Sequence, residues 1–178
     1  RDRANLRAGQ RVLIIGAAGS IGTYAVQLAK RFGADVTGVC GTSNVALVRS
    51  LGADETIDYR NEDFREAGER WDVVFDTVGA SSFAEIKPVL VERGIYLPTV
   101  ISIGSVFHGL SAPLGRGKRL VGGMSVNKND TLPFVAELIK ADALQIVVDR
   151  RFPLERIQEA HRLVDTGHKK GNVIIEVG

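Results

Sequence analysis

"VLIIGAAGSIGTYAVQLAK", Val12 to Lys30, decides the fold. Its first part belongs to "RVLIIG" (Arg11 to Gly16), a near-continuous apolar run of strand length that reads as a strand covered on both faces. Its second part brings Ile21, Ala25, Leu28, Ala29 and Phe32 round at spacings of three and four, which predicts a helix with one buried stripe, stopped at Gly33. A strand that halts at small residues and restarts as a helix leaves backbone N–H groups pointing out of the helix N-terminus, where the peptide dipoles favour an anion. Gly19 and Gly22 stand where the second and third glycines of G-x-G-x-x-G would, the ones that allow backbone approach to a pyrophosphate and close packing of helix on strand. Ala17 holds the first position and resists a positive φ, so Gly16 is expected to absorb the strained angle. The stretch therefore reads as a phosphate cradle, with a tight turn that holds no ligand as the alternative.

Outward from this unit, β-rich runs alternate with helical periods, as a parallel sheet with crossover helices requires. "DVTGVC" (Asp35 to Cys40) predicts a second strand and "NVALVRSLG" a helix carrying Val45, Val48 and Leu51. "ETIDY" predicts a short third strand, and "NEDFREAGE" an exposed turn or loop. "WDVVFDTVG" (Trp71 to Gly79) predicts a fourth strand. "ASSFAEIKPVLV" is a helix that Pro88 kinks or divides, and "GIYLPTVI" (Gly94 to Ile101) a fifth strand ended or bulged by Pro98. Residues Ser102 to Gly117 show no period and read as a loop near a site, followed by a sixth strand in "KRLVGGMSV". "DTLPFVAELIKADAL" predicts a helix with Leu132, Val135, Leu138 and Ile139 on one face and Asp130 as N-cap. "QIVVDRRF", a helix in "PLERIQEAHRLVDTG" with Pro153 at its start, and "NVIIEV" complete the chain. The expected fold is α/β: a Rossmann-type, doubly wound, mostly parallel six-stranded sheet with helices on both faces. Its ligand crevice should lie outside the carboxyl ends of the first and fourth strands.

The end of the second strand bears on which dinucleotide would bind, because an acidic side chain there accepts from the ribose 2′-hydroxyl of NAD and repels a 2′-phosphate. "VCGTSN" (Val39, Cys40, Gly41, Thr42, Ser43, Asn44) holds no carboxylate, so NADP(H) is expected, with NAD(H) as the alternative. Thr42, Ser43 and Asn44 offer donors to a phosphate, or simply cap the next helix. Tyr59 and Arg60 could add a hydroxyl and a charge.

The 178 residues fit one domain, and 44% hydrophobic content suffices for a core. Twenty-three basic against 21 acidic residues leave +2, scattered without a stripe, so nucleic acid is not an expected partner. The single cysteine excludes an internal disulfide and fits a reducing compartment. No apolar run reaches a membrane span and no signal peptide shows, so a cytoplasmic location is expected.

With "AGQRVLIIGAAGSIGTYAVQLAKRFGADVTGVC", "LVRSLGADETIDYRNEDF", "WDVVFDTVG" and "FPLERIQEAHRLVDTGHKKGNVIIEV", the chain from Gly9 to Val177 resembles the medium-chain dehydrogenase/reductase superfamily, in particular its quinone-oxidoreductase-like branch without catalytic zinc. The resemblance implies that residues 1–178 are the C-terminal cofactor-binding domain of an NADP(H)-dependent oxidoreductase, inactive alone. Residues 145–178 would include the helix and strand that return to a missing N-terminal catalytic domain. It further implies that Ala18, Gly19, Ser20 and Ile21 line the pyrophosphate and that Thr42, Asn44 and Tyr59 surround the 2′-phosphate, with Cys40 and Gly41 beside the adenine pocket. Thr77, Val78, Leu97 and Thr99 would lie along the ribose and nicotinamide. Relatives that use NADPH often carry Lys or Arg just after the second strand, where this chain has Ser43, Asn44 and Val45. A homodimer through the fifth and sixth strands is the expected assembly. A non-catalytic NADPH-sensing module is the alternative function.

The remaining chemistry-bearing side chains have plainer roles. His108, His161 and His168 have no second ligand at helical spacing, so no zinc is expected in this chain. His161 reads as a partly buried helix residue, and His168 with Lys169 and Lys170 as the complement of a helix C-terminus. Cys40 reads as a small inert thiol, Asp76 as an acceptor for neighbouring amides, and Ser81 and Ser82 as N-caps.

Overall fold

A computed structural model of the chain describes residues 4–100, 117–122 and 131–178. Six strands form one parallel sheet: β1 (Arg11–Ile15), β2 (Asp35–Cys40), β3 (Glu55–Asp58), β4 (Trp71–Asp76), β5 (Leu90–Pro98) and β6 (Arg119–Leu120). Their order is β3-β2-β1-β4-β5-β6, so the chain winds outward from β1 on one side and then crosses to β4 on the other. Two further strands, β7 (Val148–Pro153) and β8 (Asn172–Glu176), pair with each other in parallel as a separate sheet. The helices are α1 (Ser20–Arg31), α2 (Val45–Ser50), α3 (Phe83–Ile86), α4 (Thr131–Lys140) and α5 (Ile157–Asp165).

The unbroken apolar run of β1 has the expected cause. Val12 and Ile14 pack into one core with Val26 and Ala29 of α1 and Val48 of α2. Leu13 and Ile15 pack into the core on the other face, with Trp71, Ile86 of α3, Leu90 and Tyr96. Both faces of the sheet are therefore dry along β1, so Val12 to Ile15 must all be apolar, and only Arg11 at the strand's start is exposed.

Several local expectations shift. The buried face of α1 is Gly22, Thr23, Val26 and Ala29, while Ile21 is exposed. The helix rolls its smallest residues onto the sheet because its first turn sits close to the β1 turn. β5 begins at Leu90, before Gly94: its register with β4 breaks between Trp71 and Val73, with Arg93 at φ +66° in the irregular stretch, and it ends at Pro98. Pro88 divides the preceding helix, leaving α3 and a 3₁₀ turn at Lys87–Val89. In the turn after β3, Phe64 is buried edge-on against Trp71, so that segment is not wholly exposed. Of the apolar face expected on α4, only Leu138 is buried and Leu132 is exposed; Phe134 stacks on Phe32 of α1. Pro153 closes β7 and, as expected, stands at the helix start, capping a 3₁₀ turn (Leu154–Arg156) that runs into α5, while His161 on α5 is exposed. Asp130, His108, residues 102–116 of the expected loop and residues 123–126 of the expected sixth strand lie outside the described residues. Among the described residues no helix is long and apolar enough to cross a membrane.

The β7–β8 pair is anchored through α1. Gln27 of α1 donates to Gln145 O (3.0 Å) and accepts from its N–H (2.7 Å), and Asn172 donates to the Tyr24 hydroxyl (3.0 Å).

Candidate functional site

The sequence between β1 and α1 makes a turn held by its own backbone. Gly16 takes φ +78°, the angle Ala17 would resist, and the N–H groups of Gly16 and Ala17 both donate to Val39 O of β2, at 3.1 and 3.0 Å. Gly19 N–H closes on Gly16 O at 3.0 Å, and Thr23 N–H closes the first helical turn on Gly19 O. The amides of Ser20, Ile21 and Gly22 lie before that first intrahelical bond. No side chain caps the helix and no acidic residue lies in its first turn, so its positive end is left for an anion from outside the helix. Gly22 makes the close seating of the helix possible. A Cβ there would lie 2.1 Å from Gly16 O and 2.7 Å from the Ala17 backbone.

This turn opens on a cavity of about 450 Å³ at the point where the strand order reverses. Ile15, Gly16, Ala18 and Gly19 form its base. Val39, Cys40, Gly41 and Asn44 line it from the end of β2, and Tyr59, Phe64 and Arg65 from the turn after β3. Val78, Ala80 and Ser81 close it from β4, and Gly167, His168 and Lys169 come from the segment before β8.

Of the residues singled out from sequence, Ala18, Gly19, Cys40, Gly41, Asn44, Tyr59 and Val78 meet on this cavity. The others stand around it. Ser20 donates its hydroxyl to Gly171 O (2.7 Å), and Ile21 is exposed beside it. The Thr77 hydroxyl donates back to Ile15 O at 2.8 Å. Leu97 is half-buried against the α1 side of the core, and the Thr99 hydroxyl donates to Asp76 O (3.2 Å). Thr42 is drawn away: its hydroxyl donates to Asp58 Oδ2 at 2.5 Å.

Three titratable groups of the walls are fixed by their surroundings. Cys40 is buried, and its thiol is pushed up to about 11 by that burial and by the Asp58 charge, against the opposing effect of Arg49. Asp76 is fully buried and accepts from the amides of Val78 (3.0 Å), Gly79 (2.8 Å) and Ser81 (3.0 Å). Tyr96 shares its phenolic proton between Asp76 Oδ2 and Ser81 O, and burial followed by the Asp76 charge raises it above its ordinary range. Asp76 thus shapes the Val78–Ser81 wall and does not face the cavity as a base. Ser82, with Glu85, forms the capping box of α3; Ser81 gives its amide to Asp76 and caps nothing.

Asp58 and Lys169 were not foreseen at the site. Asp58 ends β3 beside the end of β2, and it is held below the usual carboxylate range by the Thr42 hydroxyl, against a smaller opposing effect of burial, with help from Arg60. The parallel pairing of two short strands could have signalled it. Lys169 does not complement a helix C-terminus; it donates to Ser20 Oγ and Gly171 O, 149 positions from Ser20, and no local pattern signals that. His168 does sit at the α5 end, its Nδ1 2.5 Å from Thr166 O.

Comparison with known proteins adds a family to this geometry. Residues 51–175 match the family model described as zinc-binding dehydrogenase. The chloroplast envelope quinone oxidoreductase homolog of Arabidopsis thaliana is 31% identical over 170 residues, covering 93% of this chain and 52% of that protein. The mitochondrial NAD(P)H oxidoreductase RTN4IP1 of Bos taurus is 31% identical over 196 residues, covering 95% of this chain and 48% of that protein. The structure of the quinone oxidoreductase from Coxiella burnetii superposes with a TM-score of 0.85 at 29% identity, covering 99% of this chain and 56% of that one. The chain spans about half the length of the curated relatives it matches.

Proposed function

The chain belongs to the zinc-binding dehydrogenase family, as a C-terminal nucleotide-binding domain of the medium-chain dehydrogenase/reductase superfamily, and from that premise we propose that it binds NADP(H) for hydride transfer to or from a quinone, enone, carbonyl or alcohol. The observation that carries the reading is the uncapped start of α1, with no acid in its first turn, opening on a cavity at the strand reversal.

In this reading Ala18, Gly19, Ser20 and Ile21 hold the pyrophosphate. Asn44, Tyr59 and Thr42 surround the adenosine ribose and its phosphate, and Thr77 and Val78, with Leu97 and Thr99 beyond, flank the nicotinamide half. The bound nicotinamide supplies the hydride chemistry. The chain's own part is grip and orientation, and the exposed apolar surface of Val78 excludes water from one face of the ring. Among the described residues no three His, Cys, Asp or Glu side chains form a group that could hold a metal ion. The other half of a longer polypeptide would supply the substrate cleft, so this chain alone binds cofactor and turns over nothing.

A second reading, NAD(H), is favoured by Asp58, whose carboxylate stands at Thr42 beside the end of β2. Isothermal titration with NADPH and NADH decides between them: tighter NADPH is expected, tighter NADH reassigns the cofactor, and binding of neither overturns the function.

A further inference from the structure

Two cationic side chains, Arg65 and Lys169, and the His168 ring line the cavity. Their polar groups are engaged differently. The Arg65 guanidinium already pairs with Asp63 (2.7 Å) and Glu85 (3.1 Å). His168 lies on the Thr166 carbonyl. Lys169 forms no ion pair among the described residues; its ammonium donates to two neutral oxygens, Ser20 Oγ and Gly171 O. Asp149, the carboxylate that acts on it, already accepts the Lys170 N–H with its Oδ2.

The position is an odd one for a positive charge. Ser20 is the first residue of α1, so Lys169 adds a cation to the positive end of a helix dipole. Burial draws its pKa below the ordinary lysine value, with Asp149 opposing. The segment that carries Lys169 is nonetheless fastened to this spot. Gly171 N–H donates to Ala18 O at 2.8 Å, Gly171 pairs with Gly19 as an isolated parallel bridge, and Ser20 donates to Gly171 O. Backbone bonds thus hold a cation that no ion pair among the described residues neutralises, against three amides that also favour an anion.

We propose that Lys169 is a ligand of the cofactor's pyrophosphate, its ammonium turning from Ser20 to the phosphate oxygens when the dinucleotide binds at the start of α1. This rests on the nucleotide-binding reading above. Because the pyrophosphate is common to both dinucleotides, Lys169 contributes to affinity without selecting between NADPH and NADH.

Titrating the full chain as wild type, Lys169→Gln and Lys169→Arg with NADPH and NADH tests it. Removing the charge is expected to weaken both dinucleotides about tenfold and by the same factor, with Lys169→Arg restoring most of the loss. The affinity of Lys169→Gln should also fall less steeply with added salt than that of the wild type. Gln can keep a donor on Ser20, so a purely structural staple would leave affinity and salt dependence nearly unchanged. Wild-type binding with no change in Lys169→Gln overturns the lysine's role and leaves the nucleotide reading standing. A loss confined to NADPH also overturns it, since the charge would then serve the 2′-phosphate. If Lys169→Gln does not fold, Lys169→Arg carries the test: an arginine that retains less than a tenth of wild-type affinity for both dinucleotides contradicts the proposal.

Discussion

Gly22 has backbone where its side chain would be. A methyl group there would sit 2.1 Å from Gly16 O, a contact no rotamer can relieve because both partners are main chain. In Gly22→Ala the start of α1 must lift from the turn, at a cost on the order of 1–3 kcal/mol for overpacking. Lower urea midpoint and weaker dinucleotide binding are the expected results, the second because the amides of Ser20 and Ile21 move with the helix. A variant that unfolds with the wild type and binds equally well would show that the seating is loose. This part of the site was legible in the sequence, since glycine spacing between a strand and a helix encodes a backbone geometry. So was the compensating angle at Gly16, which follows from the Cβ of Ala17 next door. Lys169 was not, because its meaning comes from Ser20, a residue that only the tertiary fold brings near it.

At the scale of elements, the "LGAD" turn shows how α1, α2 and β2 are tied. Asp54 follows α2, its two oxygens each 2.8 Å from Lys30 Nζ in the last turn of α1, and its Oδ2 accepts the Val36 N–H of β2 at 2.7 Å. Burial raises its pKa, but the Lys30 hydrogen bond, the Val36 amide and the Lys30 charge together outweigh that and hold it below its ordinary value. A depressed carboxylate pKa means stability that is present above the unfolded value of about 3.9 and is lost as pH falls through the folded value. Between about pH 5 and pH 3 the urea midpoint of the wild type should therefore fall more than that of Asp54→Asn. Parallel curves would mean that the contact adds nothing in solution. The elements themselves were mostly readable: β1 is apolar from Val12 to Ile15 because both of its faces are covered there, and Pro98 ends β5. The roll of α1 was not, since Ile21 and Gly22 are adjacent and only the close approach to Gly16 decides which one turns inward. Nor was the pairing of β7 with β8, because an apolar strand pattern names no partner.

At the scale of the molecule, the candidate site is a cavity lined from both sheets. The six-stranded sheet contributes the β1 turn and the ends of β2 and β4; the β7–β8 pair contributes Gly167 to Gly171. Ser20, Tyr24 and Gln27 of α1 bridge them, with Ala18 of its turn. A ligand bound across that junction should stabilise both parts together. With free NADPH at about 100 times its dissociation constant the stabilisation is about 2.7 kcal/mol, which for a chain of this size raises the melting temperature by roughly 5–11 °C. The rise should appear equally in the fluorescence of Trp71, buried in the large sheet, and in slowed hydrogen exchange at Ile174 and Ile175 of β8. If NADPH protects the Trp71 region but leaves exchange in β8 unchanged, the segment before β8 takes no part in holding the cofactor. Protection in both would make the small sheet a working wall of the site, and would explain why the chain at Gly171, 23 positions after β7 begins at Val148, is bonded to the turn where its first helix starts.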